Sequence, residues 1–280
     1  MTMKKKFINI IIYIVLTVLM LAFFLPFILL VLNAFKTNAQ IIQSPLSLPT
    51  GISFDNFMIA MKRMNFVNSF LNSLKIIVFS LVFIVLSSSM SSYYLVRSKS
   101  KLSKICFFTL VASMSIPFQA IMIPLVSIYG SELGLIQSYP HTTLIFMYIG
   151  FGAPLAIFIY HGFIKSIPLE LEEAALIDGC NKKQMFFKII FPILKPTTVT
   201  IAILDILWIW NDFLLPSLIL QNGGPKGFTL PLAIRIFQGT FSSDYEMFLP
   251  AVLLVILPIL FVYLFLQRFV IDGVIQGSIK

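Results

Sequence analysis

Charge is what this sequence has least of. Asp, Glu, Lys and Arg make up 11% of its 280 residues and 59% are hydrophobic, whereas about a quarter of a soluble domain is charged. With a mean hydropathy of +0.98, a secreted enzyme, a cytosolic enzyme and a disordered tail are excluded. Cysteine is nearly absent. Cys106 and Cys180 cannot build a disulfide framework and match no metal-ligand spacing, so both read as free thiols and no metal site is expected. His141 and His161 stand 20 residues apart with no carboxylate or cysteine near them in sequence, which is not the spacing of a zinc pair. His141, after Pro140, reads as interfacial, and His161 as a polar anchor at the end of an apolar run. A Gly-x-Ser-x-Gly elbow is missing, and so is a Gly-x-x-x-x-Gly-Lys-Ser/Thr phosphate loop. The chain therefore has neither a hydrolase nucleophile motif nor a Walker-type ATP site.

What the sequence has instead is long apolar runs. Crossing a bilayer core takes roughly 20 helical residues, and six segments qualify: 7–32, 76–96, 105–130, 142–163, 196–219 and 247–267. The runs are continuous, so a β-barrel with its alternating strands is excluded and an all-α membrane protein is predicted. Segment 7–32 follows Lys4, Lys5 and Lys6 like a secretory leader. It is about twice the length of a leader's apolar region and no small-residue cleavage site follows, so it reads as a retained span containing Pro26.

The formal net charge of +9 orients the chain. With six spans, both termini and the second and fourth loops share a side. They carry 14 of the 20 basic residues: Lys4–Lys6, Arg97, Lys99, Lys101, Lys104, Lys165, Lys182, Lys183, Lys188, Lys195, Arg268 and Lys280. The other side holds Lys36, Lys62, Arg63, Lys75, Lys226 and Arg235. The basic excess puts both termini in the cytoplasm.

Residues 165–195 form the longest cytoplasmic loop. Pro168 suits a helix's first turn, and Glu170, Glu172 and Glu173 place negative charge at its positive end. Gly179 can take the left-handed conformation that ends it, and Asn181 with Gln184 looks like a capping box opening a second helix. Lys182, Lys183 and Lys188 lead that helix into Ile189 and Ile190, with Pro192 bending it toward the membrane. Ala174 and Ala175 permit close approach by a partner. By physics alone this is an interfacial helix joining two spans.

Its spacing says more. Glu173-Ala174-Ala175, three residues, Gly179, nine residues, then Ile189-x-x-Pro192 resembles the cytoplasmic EAA loop of ABC-importer permeases, with Phe191 where the family usually has Leu. Trp210-Asn211-Asp212-Phe213 is similar to a motif of oligosaccharide permeases. Asn33-Ala-Phe-Lys36-Thr37, Ser69-Phe-Leu-Asn72-Ser73, Gly134-Leu135, Thr229-Leu230-Pro231, Phe237-Gln238-Gly239 and Leu266-Gln267-Arg268-Phe269 agree. The resemblance covers essentially the whole chain and is to the shorter, six-span permease subunit of the maltose/multiple-sugar type. It implies the type I ABC importer permease fold, with a first span and external loop over 1–68, the transmembrane module over 69–267 and a cytoplasmic tail over 268–280. It also implies a second permease chain, two cytoplasmic ABC ATPase subunits and an external solute-binding protein. Catalytic residues and cofactors of its own are not expected, since ATP and magnesium belong to the ATPases. Carried over, Glu173, Ala174, Ala175, Asp178, Gly179, Ile189 and Pro192 would form the ATPase-coupling loop.

Asp205 and Asp212 are the costly residues. A charge at mid-bilayer costs at least a few kcal/mol, so it usually faces a bundle interior or a cavity. They are two helical turns apart on nearly one face, with Asn211 beside them and Trp208 a turn below Asp212. Carboxylates with an aromatic platform suit sugar hydroxyls, so these four residues are candidates for the substrate pathway. The alternative is that the carboxylates hydrogen-bond to a second permease or to span ends. Glycerol-phosphate permeases share these motifs, although no predicted span has an internal Lys or Arg. A proton-coupled secondary transporter would use such carboxylates as relays but has no need of an EAA loop.

Overall fold

The computed structural model describes residues 3–239 and 244–278, and among these it is helical, with no strand. Lys280, and the side chains of Lys4, Lys5, Lys6 and Arg268 that enter the charge count, lie outside the described residues. Four helices are long and apolar enough to cross a membrane alone. They are Ile8–Asn33 within α1 (Met3–Asn33), α4 (Phe66–Arg97), α8 (Pro140–Ile164), and Tyr245–Gln267 within α15 (Tyr245–Ser278). Two bent pairs bring the number to six when each counts as one span: Lys101–Ser113 with Phe118–Glu132, and Lys182–Ile193 with Lys195–Asn211.

Three predicted spans differ from what folds. The second helix begins at Phe66, ten residues ahead of the apolar run, so Lys75 sits exposed on α4 rather than in a loop. The third run, 105–130, is not straight: α5 (Lys101–Ser113) and α6 (Phe118–Val126) meet at 97°. Pro117 is the reason. It is extended at ψ 135°, and its ring keeps the residue before it out of the helical region. Pro124 then removes one N–H within α6, and a π turn follows at Ser127–Glu132.

The fifth run, 196–219, breaks as well. α12 (Lys195–Asn211) stops at Asp212, whose backbone is extended at ψ 125°, and α13 (Leu214–Leu220) starts afresh. Asp212 Oδ1 accepts the N–H groups of Leu214 and Leu215 at 3.0 and 3.4 Å, as a capping carboxylate does. Pro216 has no N–H to return to Asp212, so a continuous helix would lose that bond in any case. At 17 residues, α12 is about 25 Å long. The sixth apolar span ends at Gln267 as predicted, and its helix, α15, continues through residues 268–278.

Two compact units are present: residues 1–66 with 234–257, and 67–233 with 258–280. In the first, α2 (Asn38–Gln43) opens on a capping box of Thr37 and Gln40 and is joined to α15 by reciprocal bonds between Asn38 and Glu246. Lys36 is 1% exposed, and its ammonium donates to Asn33 Oδ1, Ser44 O and Pro45 O at 3.0–3.1 Å. All three ammonium donors thus have oxygen partners, which is what lets a charge stay buried there. Phe54, just before α3 (Asp55–Arg63), and Phe57 on it pack on Phe35.

The second unit is built on a stripe of small residues. Ser69, Ser73, Ser80, Ser88, Ser89 and Ser92 are the buried polar side chains of α4. Ser92 Oγ donates to Ile157 O at 3.0 Å and Ser88 Oγ lies 3.5 Å from Ala153 O, both on α8. Small residues let two membrane helices approach closely, and the hydroxyls then bond across. Gly152 continues the contact from the α8 side, since a Cβ there would lie 2.7 Å from Ile84 Cδ1. At the other end of α4, Asn72 donates to the carbonyls of Lys226 and Phe228, and Ser73 accepts the N–H of Leu230, the first residue of α14 (Leu230–Ala233). Gly134, with φ +64°, precedes α7 (Leu135–Ser138), which leads into α8. Between α8 and α12 lie α9 (Glu170–Ile177), α10 (Lys182–Met185), a π turn at Phe186–Ile190 and α11 (Phe191–Ile193).

Ser92 is 0% exposed, so Ser92→Leu forces α4 and α8 apart. Overpacking of this kind costs about 1–3 kcal/mol. The expected outcome is a lower Tm for the detergent-purified protein, and an unchanged Tm would contradict the packing described.

Candidate functional site

Loop 165–195 folds as two short helices held against the end of α4. α9 begins at Glu170, so Pro168 lies two residues ahead of it rather than in its first turn. Leu169 O accepts the N–H groups of Glu172 and Glu173. Gly179 ends the helix at φ +80°, and the Asn181–Gln184 capping box opens α10. The turn into α12 is 72° and falls at Leu194, which is fully buried, two residues after Pro192. Pro192 and Pro196 flank that point, and neither can donate a helical hydrogen bond across it.

The faces of α9 differ. Glu172 and Ala175 are buried against the chain's own helices, whereas Glu173, Ala174, Asp178 and Gly179 are exposed. Ile177 is 87% exposed, with Leu171 and Leu176 also outward. Of the predicted loop residues, Ile189 is half-buried and Pro192 exposed. Sequence reasoning passed over Glu172, which holds the loop in place. Arg97 Nε donates to its Oε1 at 2.6 Å and Tyr93 Oη to its Oε2 at 2.7 Å, while Arg97 Nη2 reaches Ile167 O at 3.0 Å. Tyr93 and Arg97 are one turn apart at the end of α4, a spacing that marks a shared face.

The second candidate region is a cavity of about 530 Å³ between the α5–α6 break, α8 and α12. Its lining is mainly apolar and aromatic, including Tyr129, Phe146, Phe151 and Trp208, with one carboxylate, Asp205. Asp205 is 3% exposed, and its buried Oδ2 has no hydrogen-bond partner. An unpaired buried carboxylate is among the most destabilising groups a chain can carry. Trp208 is 41% exposed and makes an edge contact with Tyr148, ring centres 5.4 Å apart.

The predicted constellation of Asp205, Trp208, Asn211 and Asp212 therefore divides. Asp205 and Trp208 line one cavity. Asp212 has left the helix, caps α13 and accepts the Tyr148 hydroxyl at 2.9 Å, so the two carboxylates do not share a helical face. Asn211 is exposed and donates to Leu207 O. His141 bonds Gly227 O at 2.8 Å, and His161, in the last turn of α8, is buried and stacked on Phe107 at 3.8 Å. Among the described residues, no three His, Cys, Asp or Glu side chains gather as metal ligands.

Comparison with known proteins gives consistent results. Residues 84–274 match the family model described as "Binding-protein-dependent transport system inner membrane component". The chain is 41% identical over 94% of both chains to the probable starch degradation products transport system permease protein AmyC of Thermoanaerobacterium thermosulfurigenes. It is 36% identical, over 92% of both, to the melibiose/raffinose/stachyose import permease protein MelC of Bacillus subtilis. With the multiple sugar-binding transport system permease protein MsmG of Streptococcus mutans it shares 35% over 96% of both. A chain from the crystal structure of a bacterial ABC transporter involved in the import of the acidic polysaccharide alginate has the same fold. Its TM-score is 0.80 at 19% identity, covering 96% of this chain and 98% of that one.

Replacing the unpartnered carboxylate with an apolar group removes its desolvation cost, about 1–3 kcal/mol. Asp205→Leu is expected to raise the Tm of the purified protein, and a fall would mean that Asp205 has a stabilising partner.

Proposed function

Because the chain belongs to the family of binding-protein-dependent transport system inner membrane components, we propose that it is the shorter permease subunit of an ATP-driven importer of oligosaccharides. Membership implies a binding protein and an ATPase as partners, and makes this chain a transport component rather than an enzyme. The finer assembly proposed is a heterodimer with a second permease, two ATP-hydrolysing subunits on the cytoplasmic side and a solute-binding protein outside. Both termini then face the cytoplasm, and residues 69–267 form the transmembrane module.

The observation that carries the reading is the outward face of α9. Glu173, Ala174, Ile177 and Asp178 stand clear of the chain's own core, and a large apolar side chain 87% exposed at a loop tip is the mark of a surface that a partner covers. Glu170 and Glu173 are the exposed acidic residues of the helix's first turn, where they can meet basic groups of an ATPase cleft. Gly179 sets the exit of the helix with a φ of +80°, which a residue with a Cβ adopts only under strain. ATP-driven closure of the ATPases would swing this loop and open the pathway to the other side.

The pathway proposed runs through the cavity beside Asp205. A carboxylate and an exposed tryptophan suit the hydroxyls and apolar faces of a pyranose ring. Among the described residues that line the cavity none is basic, which favours a neutral sugar over a phosphate ester. Tyr148 supports this wall from behind, through its edge contact with Trp208, while Asn211 and Asp212 lie outside the lining. Starch-type and raffinose-type oligosaccharides are the substrates carried by the relatives' names and are the first to try here.

Cells expressing the chain with its partner subunits are expected to take up radiolabelled maltotriose or raffinose in a vanadate-sensitive, ionophore-resistant way. Ile177→Asp and Gly179→Val should each lower ATPase co-purification and uptake by about tenfold or more, the equivalent of about 1.4 kcal/mol of lost docking. Full uptake with intact ATPase association in both variants would refute the docking assignment.

A further inference from the structure

The carboxylate of Glu172 is gripped from one turn of α4 by two donors, one on each oxygen. The same turn holds the loop at three other points. Arg97 Nη2 binds Ile167 O ahead of α9. The Tyr93 ring packs on Phe186 at 5.5 Å, and its hydroxyl lies 3.3 Å from Met185 Sδ. Met185 and Phe186 are themselves buried. The loop's approach, its first helix and its second helix are thus all fastened to Tyr93 and Arg97. The side chains of the Arg97–Glu172 pair are only 19% and 10% exposed, so the pair is partly shielded from water and keeps a defined geometry where a surface pair would not.

From this grip a rigid route leads into the membrane. α4 runs unbroken from Arg97 toward Ile84, roughly 20 Å at 1.5 Å per residue. On the way it is bonded to α8 through Ser92 and Ser88. At Ile84 it meets Gly152, whose missing Cβ would also lie 3.4 Å from Asp205 Oδ1. An α-helix is stiff along its axis, and the small-residue contact leaves α4 and α8 no slack to absorb a displacement.

Resting on the docking role proposed above for α9, we propose that Tyr93, Arg97 and Glu172 form the joint that passes movement of the loop into α4 and so to the cavity beside Asp205. They are positioning residues: they touch neither solute nor ATP. The outer face of α9 meets the ATPase and its inner face drives α4, so docking and transmission lie on opposite sides of one short helix.

The test uses the whole importer in proteoliposomes, with Cys106→Ser and Cys180→Ser as background and Ser113→Cys as a reporter on the cavity wall. The rate of labelling by a membrane-impermeant maleimide is compared with and without ATP plus vanadate. Arg97→Gln and Glu172→Gln are each expected to lower the ATP-dependent change by about fivefold or more, the low end of measured coupling between sites, with the ATPase still bound. The double variant should lose less than the product of the two single losses, because both remove the same ion pair, and Arg97→Glu with Glu172→Arg should recover part of the change. Tyr93→Phe keeps the ion pair and guards against misfolding of the charge variants. It should lower the change about twofold, as loss of one hydrogen bond does.

An unchanged ATP response in these variants would overturn the joint. So would losses that multiply in the double variant, or release of the ATPase. Failure of the docking reading has a different signature: Ile177→Asp and Gly179→Val would then leave the ATPase bound.

Discussion

The ion pair between Arg97 and Glu172 decides how the rest of the chain can be used. α9 has eight residues, too few to hold a helix in water alone; a short turn joins it to α8, and α10, a π turn and α11 separate it from α12. What fixes its orientation is a carboxylate with both oxygens engaged by α4, beside a buried Ala175. Rotate the helix by half a turn and Ile177 and Glu173 face inward, while Glu172 is left in solvent. The pair therefore selects which face of the loop points outward.

A second constraint is the unpartnered carboxylate of Asp205. Around it the chain is closely packed, with Gly152 and Ile84 in contact and serines spacing α4 from α8. Part of the cavity wall is the break ahead of Pro117, where Ser113, Met114 and Ile116 line it. Interrupted helices in membranes are tolerated where they face a cavity or protein rather than lipid, and here the break ahead of Pro117 borders the cavity that Asp205 lines.

Much of this was legible in the residues, and the failures have physical causes. Hydropathy and length located all six apolar runs, and the loop's turn chemistry, from Gly179 to the Asn181–Gln184 box, folded as read. The breaks at Pro117 and Asp212 were missed because hydropathy counts residues and ignores backbone geometry; Ile116-Pro117 and Asp212 ahead of Pro216 were the available signals. Asp205 and Asp212 looked like neighbours only under the assumption of a continuous helix. Glu172 was invisible for another reason. Three glutamates crowd one turn, and only the tertiary position of Arg97, 75 residues away, says which of them is buried. The short motifs noted along the chain also gain a physical account. Asn33 and Lys36 close the loop that follows α1, while Asn72, Ser73 and His141 pin the segment from Lys226 to Leu230.

The central claim is that the outward face of α9 is where the ATPase sits. A photo-crosslinking amino acid placed at Ile177 in the assembled importer, irradiated in native membranes, tests it most directly. The account predicts one dominant adduct, between this chain and the ATP-hydrolysing subunit, that shifts in yield when ATP and vanadate are added. Adducts confined to lipid or to the other permease, with none to the ATPase, would contradict it.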